Sequence, residues 1–414
     1  STMSENTQYD ENAGSGMFER HYVKTIVDRI SETNNPLMQV VVGPRQTGKS
    51  TMLGQALAKI DTEQFFISAD DAIVPSEEWL QVEWQQARNA TRSGSRPVVL
   101  VVDEIQKVPH WSLVVKSLYD ADRRNDMPVR VVLSGSSSLL LHKGLEDSLM
   151  GRFELIHSPH WSYSECFQAF GFSFDDYLYY GGYPGAARFA SDDARWISYI
   201  REAIIEPTIS QDVLALEDIR KPALMRALFR LGATYSAREL SYTKMLGQLQ
   251  DAGNTVTVAH YLDLLDKAGM LCGIQKYDAK EVRRRKSSPR FMVYDTSLMT
   301  ASSGIEKSRY LGEPDLRGHL VESAVGARLL ARASEEGLGV YWWREGIKEV
   351  DFVVSKGFDS LSAIEVKSGK EKGQSGMADF LSAHPSAKRI VVGGAASGAC
   401  GVEEFLKDEV ELFY

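Results

Sequence analysis

Apolar and polar positions change their period several times along the chain, and each change marks an element. In residues 17–30, Val23, Ile26, Val27 and Ile30 recur at helical spacing, which predicts a helix with one apolar face. Val40-Val41-Val42, Phe65-Phe66-Ile67 and the run 98–102 are continuous apolar stretches, and the run 129–133 is apolar but for Arg130. They are too short for helices and predict strands buried on both faces. Between them, residues 52–60 and 79–92 carry a helical period, the second through Trp79, Leu80, Trp84 and Ala87. Strands alternating with helices predict an α/β fold with a parallel sheet and ligands at the carboxyl ends of its strands.

Past residue 160 the pattern turns helical. Residues 173–213 read as helices, among them 196–205, and fit a small lid with a connection. Further helices are predicted at 223–231, from Tyr235, and at 254–265, where Asn254 or Thr255 caps the start. A short strand at 270–274 follows. Three helices, a strand and a basic loop fit a winged-helix plan, whose third helix enters a major groove. That helix carries Thr255, Thr257 and His260 but little positive charge, so packing against protein competes with reading DNA. Lys276, Lys280, Arg283, Arg284, Arg285, Lys286 and Arg290 stand where the wing would be. Such a run either meets phosphates in a salt-dependent way or is a solvated loop. Farther on, strands at 291–295, 340–344, 349–354, 361–367 and 389–392, with helices at 318–331 and 378–382, predict a second α/β region.

The chain's 414 residues allow two or three domains with cores of their own. The formal net charge is −9, so any polynucleotide contact has to come from a local basic face. Cys166, Cys272 and Cys400 lie far apart, which argues for a reducing, cytoplasmic setting and against a zinc site. His157 and His160 are neighbours without further ligands nearby and read as structural. No apolar run approaches a membrane span. Residues 1–16 are polar and small and are expected to be disordered, without a secretory signal; Ser1-Thr2 ahead of Met3 reads as an expression remnant.

The chemistry begins after the first strand. Gly43-Pro44-Arg45-Gln46-Thr47-Gly48-Lys49-Ser50, followed by Thr51, matches the G-x-x-x-x-G-K-[ST] phosphate loop, with a strand before it and a helix after it. The glycines let amide N–H groups turn inward on an anion, and the helix start adds its own. Lys49 would reach the β- and γ-phosphates of ATP, and Ser50 would ligate Mg2+. The run 98–102 ends in Asp103-Glu104, like a Walker B strand. Asp103 would hold the Mg2+ shell, and Glu104 would orient and deprotonate the attacking water. After the strand at 129–133, Ser134 is either a γ-phosphate sensor or a plain cap or turn residue. Arg152 is either an arginine finger acting from a neighbouring subunit or a surface ion pair.

The phosphate loop, Val-Val-Asp-Glu-Ile-Gln-Lys-Val-Pro, Leu-Ser-Gly-Ser-Ser-Ser, Gly-Arg-Phe-Glu and Tyr180-Gly181-Gly182-Tyr183-Pro184 together resemble a prokaryotic AAA+ ATPase family, in which a tail of largely unassigned function follows the ATPase core. The resemblance runs to about Phe405. It implies a homo-oligomer, with a hexameric ring the usual arrangement. The expected divisions are a disordered start at 1–16, a P-loop ATPase core at 17–160, a helical lid and connection at 161–215, a winged helix at 216–290 and a final α/β domain at 291–414.

In that final segment Glu322, Asp351, Glu365 and Lys367 fall on a helix and two strands in the order of the PD-(D/E)xK nuclease superfamily, which the segment resembles. Glu365 and Lys367 lie two apart on one strand and so face one side. Asp351, Glu365 and Glu322 would make an oxygen site for Mg2+ or Mn2+, and Lys367 would position a water for phosphodiester attack. E-x-K on a strand is common, and such folds often keep binding while losing activity. The fold expected is therefore α/β: a P-loop AAA+ core with helical lid, a winged helix and a restriction-endonuclease-like domain. The leading functional reading is an ATP-dependent enzyme processing DNA, branched DNA in particular, with a tail that grips or cuts it. The alternative is a nucleotide-dependent signalling switch whose winged helix and inactive tail hold a protein partner.

Overall fold

A computed structural model describes residues 17–136, 138–214, 219–249, 253–278, 288–369 and 373–414. The expected disorder at 1–16 and five of the wing cations, Lys280, Arg283, Arg284, Arg285 and Lys286, lie outside the described residues.

The first layer is the parallel sheet that the apolar runs predict. Its strands are β1 (Met38–Val42), β2 (Glu63–Ser68), β3 (Val98–Asp103), β4 (Val129–Gly135) and β5 (Phe153–His157), in the order β2-β3-β4-β1-β5. All pairings are parallel. The strands β1 and β3 read as unbroken Val/Leu because both faces are covered. Met38, Val40, Val42, Leu100 and Val102 face a core closed by α3 (Glu77–Ala90) and α4 (Trp111–Arg124). Val41, Val99, Val101 and Val132 face α1 (Tyr22–Ser31) and α2 (Lys49–Leu57). Ser76 starts α3 by accepting a hydrogen bond from the N–H of Trp79, leaving Leu80, Trp84 and Ala87 on the buried face. Strand β5 is absent from the sequence-based expectation. It lies at the sheet edge, four of its five residues are only half-buried, and an edge strand has no sharp alternation to reveal it.

Strand order decides where the chemistry meets. β4 lies between β1 and β3, so the loop leaving β1, the acidic end of β3 and the serines ending β4 emerge side by side. Val41 is level with Ser134, and Val102 with Leu133.

The remainder packs as one body. One apolar core runs from Trp161 to Leu412 and is shared by the expected lid, winged helix and tail, and the last sheet buries a second, smaller cluster of its own around Val350, Val353, Ala363, Met377 and Phe380. The shared core includes α6 (Tyr163–Phe170), α7 (Phe174–Tyr180) and α8 (Asp193–Tyr199), then two π-helical runs, Ile200–Ile205 and Thr208–Val213, whereas α5 (Ser138–Ser148) packs Leu141 and Leu145 into the core of the first sheet. Next come α9 (Pro222–Thr234), α10 (Tyr242–Gln248), α11 (Thr255–Lys267) and the antiparallel pair β6 (Leu271–Ile274) and β7 (Arg290–Val293). The expected division at 290/291 falls inside β7. Tyr235 does not open a helix: Ala237 turns left-handed at φ 66°, Glu239 bridges to Arg290, and α10 starts only after Ser241, which caps it.

The last segment is a helix, Pro314–Glu336, then the meander β8 (Gly339–Glu345), β9 (Lys348–Lys356) and β10 (Ser360–Val366), a short β11 (Gln374–Ser375), a helix Met377–Ala383 and β12 (Lys388–Val392). β8, β9 and β10 pair antiparallel, whereas β10 and β12 are parallel. Among the described residues no helix is long and apolar enough to cross a membrane.

Candidate functional site

The loop between β1 and α2 is shaped as a cradle. A Cβ on Gly43 would stand 2.2 Å from the carbonyl oxygen of Ser158, so only glycine lets the loop press on the chain leaving β5. Gln46 and Gly48 take left-handed φ of 62° and 84°, which turns successive amides the same way. Thr47 Oγ1 donates to Pro44 O at 2.9 Å, and Trp161 Nε1 donates to Thr47 O at 2.9 Å. Lys49 opens α2, is buried, and donates to Gly43 O at 3.1 Å and Pro44 O at 2.7 Å. Burial pulls its ammonium down to about 8, against the opposing fields of Glu104, Asp103 and Asp212. A buried cation met only by neutral carbonyls, at a helix start with free N–H groups, suits a phosphate chain. Thr51 lies half-buried in the first turn of α2.

Asp103 ends β3 and is 4 % exposed. Its Oδ2 accepts from Ser50 Oγ at 2.5 Å, and its Oδ1 from Ser134 Oγ at 2.5 Å and Glu104 N at 3.0 Å. A serine hydroxyl on a carboxylate is a pair of hard oxygens, the donors that Mg2+ takes. Of the two expectations for Ser134, helix capping is excluded: the residue is wholly buried within β4, and the next helix starts at Ser138. Glu104 is buried in a left-handed conformation, φ 54°. Its Oε2 accepts from Gln106 Nε2 at 2.7 Å and Ser136 Oγ at 2.8 Å. Sequence reasoning missed both partners. The signal lay in Asp-Glu-Ile-Gln, since a single 3₁₀ turn over Ile105–Lys107 folds Gln106 back on Glu104.

A second missed contact ties this loop to the other half of the chain. Arg45 Nε and Nη2 donate to Asp212 Oδ2 and Oδ1 at 2.9 and 2.6 Å. The side chains are 14 % and 5 % exposed, and the hydrogen bond raises the Arg45 guanidinium above its ordinary value. Asp212 sits in the π-helical run Thr208–Val213, an irregularity that often marks a functional position. Gly269, just past α11, brings its backbone to Pro44, where an added Cβ would stand 3.3 Å from the proline Cβ. His160 Nε2 pairs with Tyr183 Oη at 2.8 Å. Burial, helped by Arg20 and Lys49, pushes the ring down to about 3, which agrees with the structural role expected of it.

Arg152 lies elsewhere. It precedes β5 at the sheet end opposite the phosphate loop, where its carbonyl accepts from Met38 N at 2.9 Å. Its guanidinium forks onto Asp120 at 2.8 and 3.0 Å. The length of β1, about 3.3 Å per residue, separates it from the loop of its own subunit.

The C-terminal quartet is only partly assembled. Beyond the pair Ile364 and Phe352 the strands β9 and β10 part, and Asp351 Oδ2 accepts the N–H of Val366 at 2.8 Å. Lys367 Nζ lies 3.3 Å from Glu365 Oε1. Glu322 is buried in the helix Pro314–Glu336. Among the described residues no three His, Cys, Asp or Glu side chains are grouped to hold a metal ion. The expected Mg2+ or Mn2+ trio of Glu322, Asp351 and Glu365 is therefore not formed. A guanidinium stands there instead: Arg290 Nη2 is 3.0 Å from Glu349 Oε2, and Nη1 is 3.8 Å from Asp351 Oδ1. Arg290 also lies 4.5 Å over the Trp342 ring and is 6 % exposed. It is thus an internal ion-pair residue of β7 and not a cation of the wing.

Comparison with known proteins agrees with this geometry in its first part. Residues 35–167 match the family described as AAA domain, residues 171–309 a domain of unknown function (DUF8612), and residues 317–399 another (DUF4143). An uncharacterized protein of Haemophilus influenzae is 21% identical over 346 residues, covering 78% of this chain and 81% of that one. One of Mycobacterium tuberculosis is 29% identical over 309 residues, covering 74% of this chain and 64% of its own length. Among solved structures, the Walker-type ATPase of Pyrococcus abyssi overlays with TM-score 0.46 at 15% identity, over 69% of this chain and 96% of that one. With its phosphate loop, its acid-ended β3 and its family match, the segment 35–167 is similar to AAA-type P-loop ATPase domains.

Proposed function

We propose that the chain hydrolyses ATP and relays its nucleotide state to a C-terminal body that holds DNA without cutting it. One observation carries the hydrolytic part: Asp103 is shared by Ser50 and Ser134 while Glu104 is fixed beside it. Gly43 to Gly48 and Lys49 would bind the triphosphate, with Arg45, Gln46 and Thr47 in the loop and Thr51 behind it. Ser50 and Asp103 would hold Mg2+, which supplies charge neutralisation on the phosphates. Ser134 would hold Asp103 in orientation, and Glu104 would accept the proton of the attacking water. Arg152, facing away from its own loop, would serve a neighbouring copy in a homo-oligomer such as a hexameric ring. The relay would run through Arg45 and Asp212.

The DNA reading is supported by the helix and strand order from α9 to β7, with its bridge at Glu239, which is the order of a winged helix. The order helix, three-strand meander, helix, strand after Pro314 supports a restriction-endonuclease-like plan. With Arg290 on the Asp351 face and no grouped carboxylate trio among the described residues, binding is the role assigned to it. A protein partner is the second reading, favoured by α11: Val256 is 74% exposed, and Thr255, His260 and Asp263 share the open side with no cation before Lys267. Turnover of ATP with Mg2+, with and without forked DNA at low salt, separates the readings. Stimulation by DNA supports the first; turnover indifferent to every DNA shape leaves the second. A Glu104→Gln variant is expected to bind ATP and not turn it over, and normal turnover would remove Glu104 from its role.

A further inference from the structure

We infer that Gln106 and Ser136 are positioning residues for ATP hydrolysis: together they fix which oxygen of Glu104 is turned to the attacking water. The inference rests on the hydrolytic reading above. Three independent features carry it. First, Glu104 is held in a conformation that side chains rarely adopt, φ 54°, so its surroundings dictate its aim. Second, both donors converge on one carboxylate oxygen, Oε2, from Gln106 at 2.7 Å and Ser136 at 2.8 Å. That leaves Oε1 as the oxygen available to a proton. Third, a carboxylate only accepts, so the amide nitrogen of Gln106 has to face it and the amide oxygen has to point elsewhere. That oxygen is buried and has no hydrogen-bond partner.

The shape of β4 is fitted to this amide. A Cβ on Gly135 would stand 2.4 Å from Gln106 Oε1, so the strand end is bare where the amide lies. Ser134, Gly135 and Ser136 thus serve three neighbouring groups: the Asp103 carboxylate, the Gln106 amide and the Glu104 carboxylate. A water has two protons. With one of them given to Glu104 Oε1, a lone pair of the water is free to attack. The water oxygen bonds to the γ-phosphorus, the bond from that phosphorus to the β,γ-bridging oxygen breaks, and ADP keeps the electron pair. One water proton passes to Glu104 and then to solvent; the other stays on the phosphate formed.

Turnover and ATP affinity are measured on the full chain for wild type, Gln106→Ala and Ser136→Ala. The expectation is a fall in kcat of about 10- to 100-fold for Gln106→Ala, a smaller fall for Ser136→Ala, and unchanged ATP affinity and KM in both. Unchanged affinity also shows that the variants are folded. Wild-type kcat in Gln106→Ala overturns the inference and leaves the hydrolytic reading standing, and a higher kcat overturns it by making Gln106 a brake. Wild type that binds ATP with Mg2+ but never turns it over overturns both.

Discussion

The contact between Arg45 and Asp212 makes a prediction with two opposite signs. Asp212→Asn keeps the shape of the side chain and removes its charge. The pair is mostly buried, 14 % and 5 % exposed, and removing one member leaves a guanidinium poorly compensated, which costs about 3–5 kcal/mol. The body starting at Trp161 would loosen from the phosphate loop, and unfolding would begin earlier. ATP binding is expected to move the other way. Asp212 places a negative charge on a loop built for phosphates, close enough to act on Lys49 as well as Arg45. Its loss frees Arg45 and is worth roughly 1–2 kcal/mol in a half-buried site, so affinity should rise about tenfold. Titration with a fluorescent ATP analogue reads the affinity, and thermal unfolding reads the stability. A double-mutant cycle with Arg45→Ala isolates the pair. Unchanged or weaker ATP binding in Asp212→Asn, or a coupling below about 0.5 kcal/mol, would refute the idea that ATP and Asp212 compete for one arginine.

Three further outcomes follow from the same geometry. Lys49, lowered to about 8 by burial from 10.5, is charged in folded and unfolded chain alike below that pH; between about 8 and 10.5 only the folded chain has released the proton, so its contribution to stability rises with pH. ATP binding above pH 8 should then take up close to one proton, seen by calorimetry in buffers of different ionisation enthalpy, and Lys49→Ala should abolish the uptake. His160, lowered to about 3 from 6.5, contributes fully above pH 6.5 and loses stability as pH falls toward 3, about 2 kcal/mol by pH 5; His160→Gln should flatten that limb of a pH–unfolding curve. Arg152→Ala should leave ATP binding intact and cut turnover about 1,000-fold or more, while mixing it with Lys49→Ala subunits should restore part of the rate, and a mixture as inactive as its parts would return Arg152 to a surface ion pair with Asp120.

The sheet and loop were legible in the sequence because their cause is local. Val40-Val41-Val42, the glycines at 43 and 48 and the run into Asp103-Glu104 act through neighbours within a few residues. β5 was not legible, since Phe153–His157 is half-buried at an edge. Asp212 was not legible as a site residue, because its partner Arg45 is 167 positions away and a lone carboxylate says nothing of what it meets. Arg290 misled for the same reason: in sequence it belongs to a basic run, in space to Glu349 and Asp351. The division at 290/291 failed because β7 pairs backwards with β6 while its residues also line the interior shared with Pro314–Glu336.

That shared interior has a mechanical consequence. One continuous oily filling joins Trp161 to Leu412, so a change at the phosphate loop reaches the carboxyl half through elements that share their packing. The phosphate loop meets that half where Gly269 approaches Pro44 and Asp212 holds Arg45. From there α11 leads away from the loop, its carboxyl end beside Gly269 and its amino end at the open Val256.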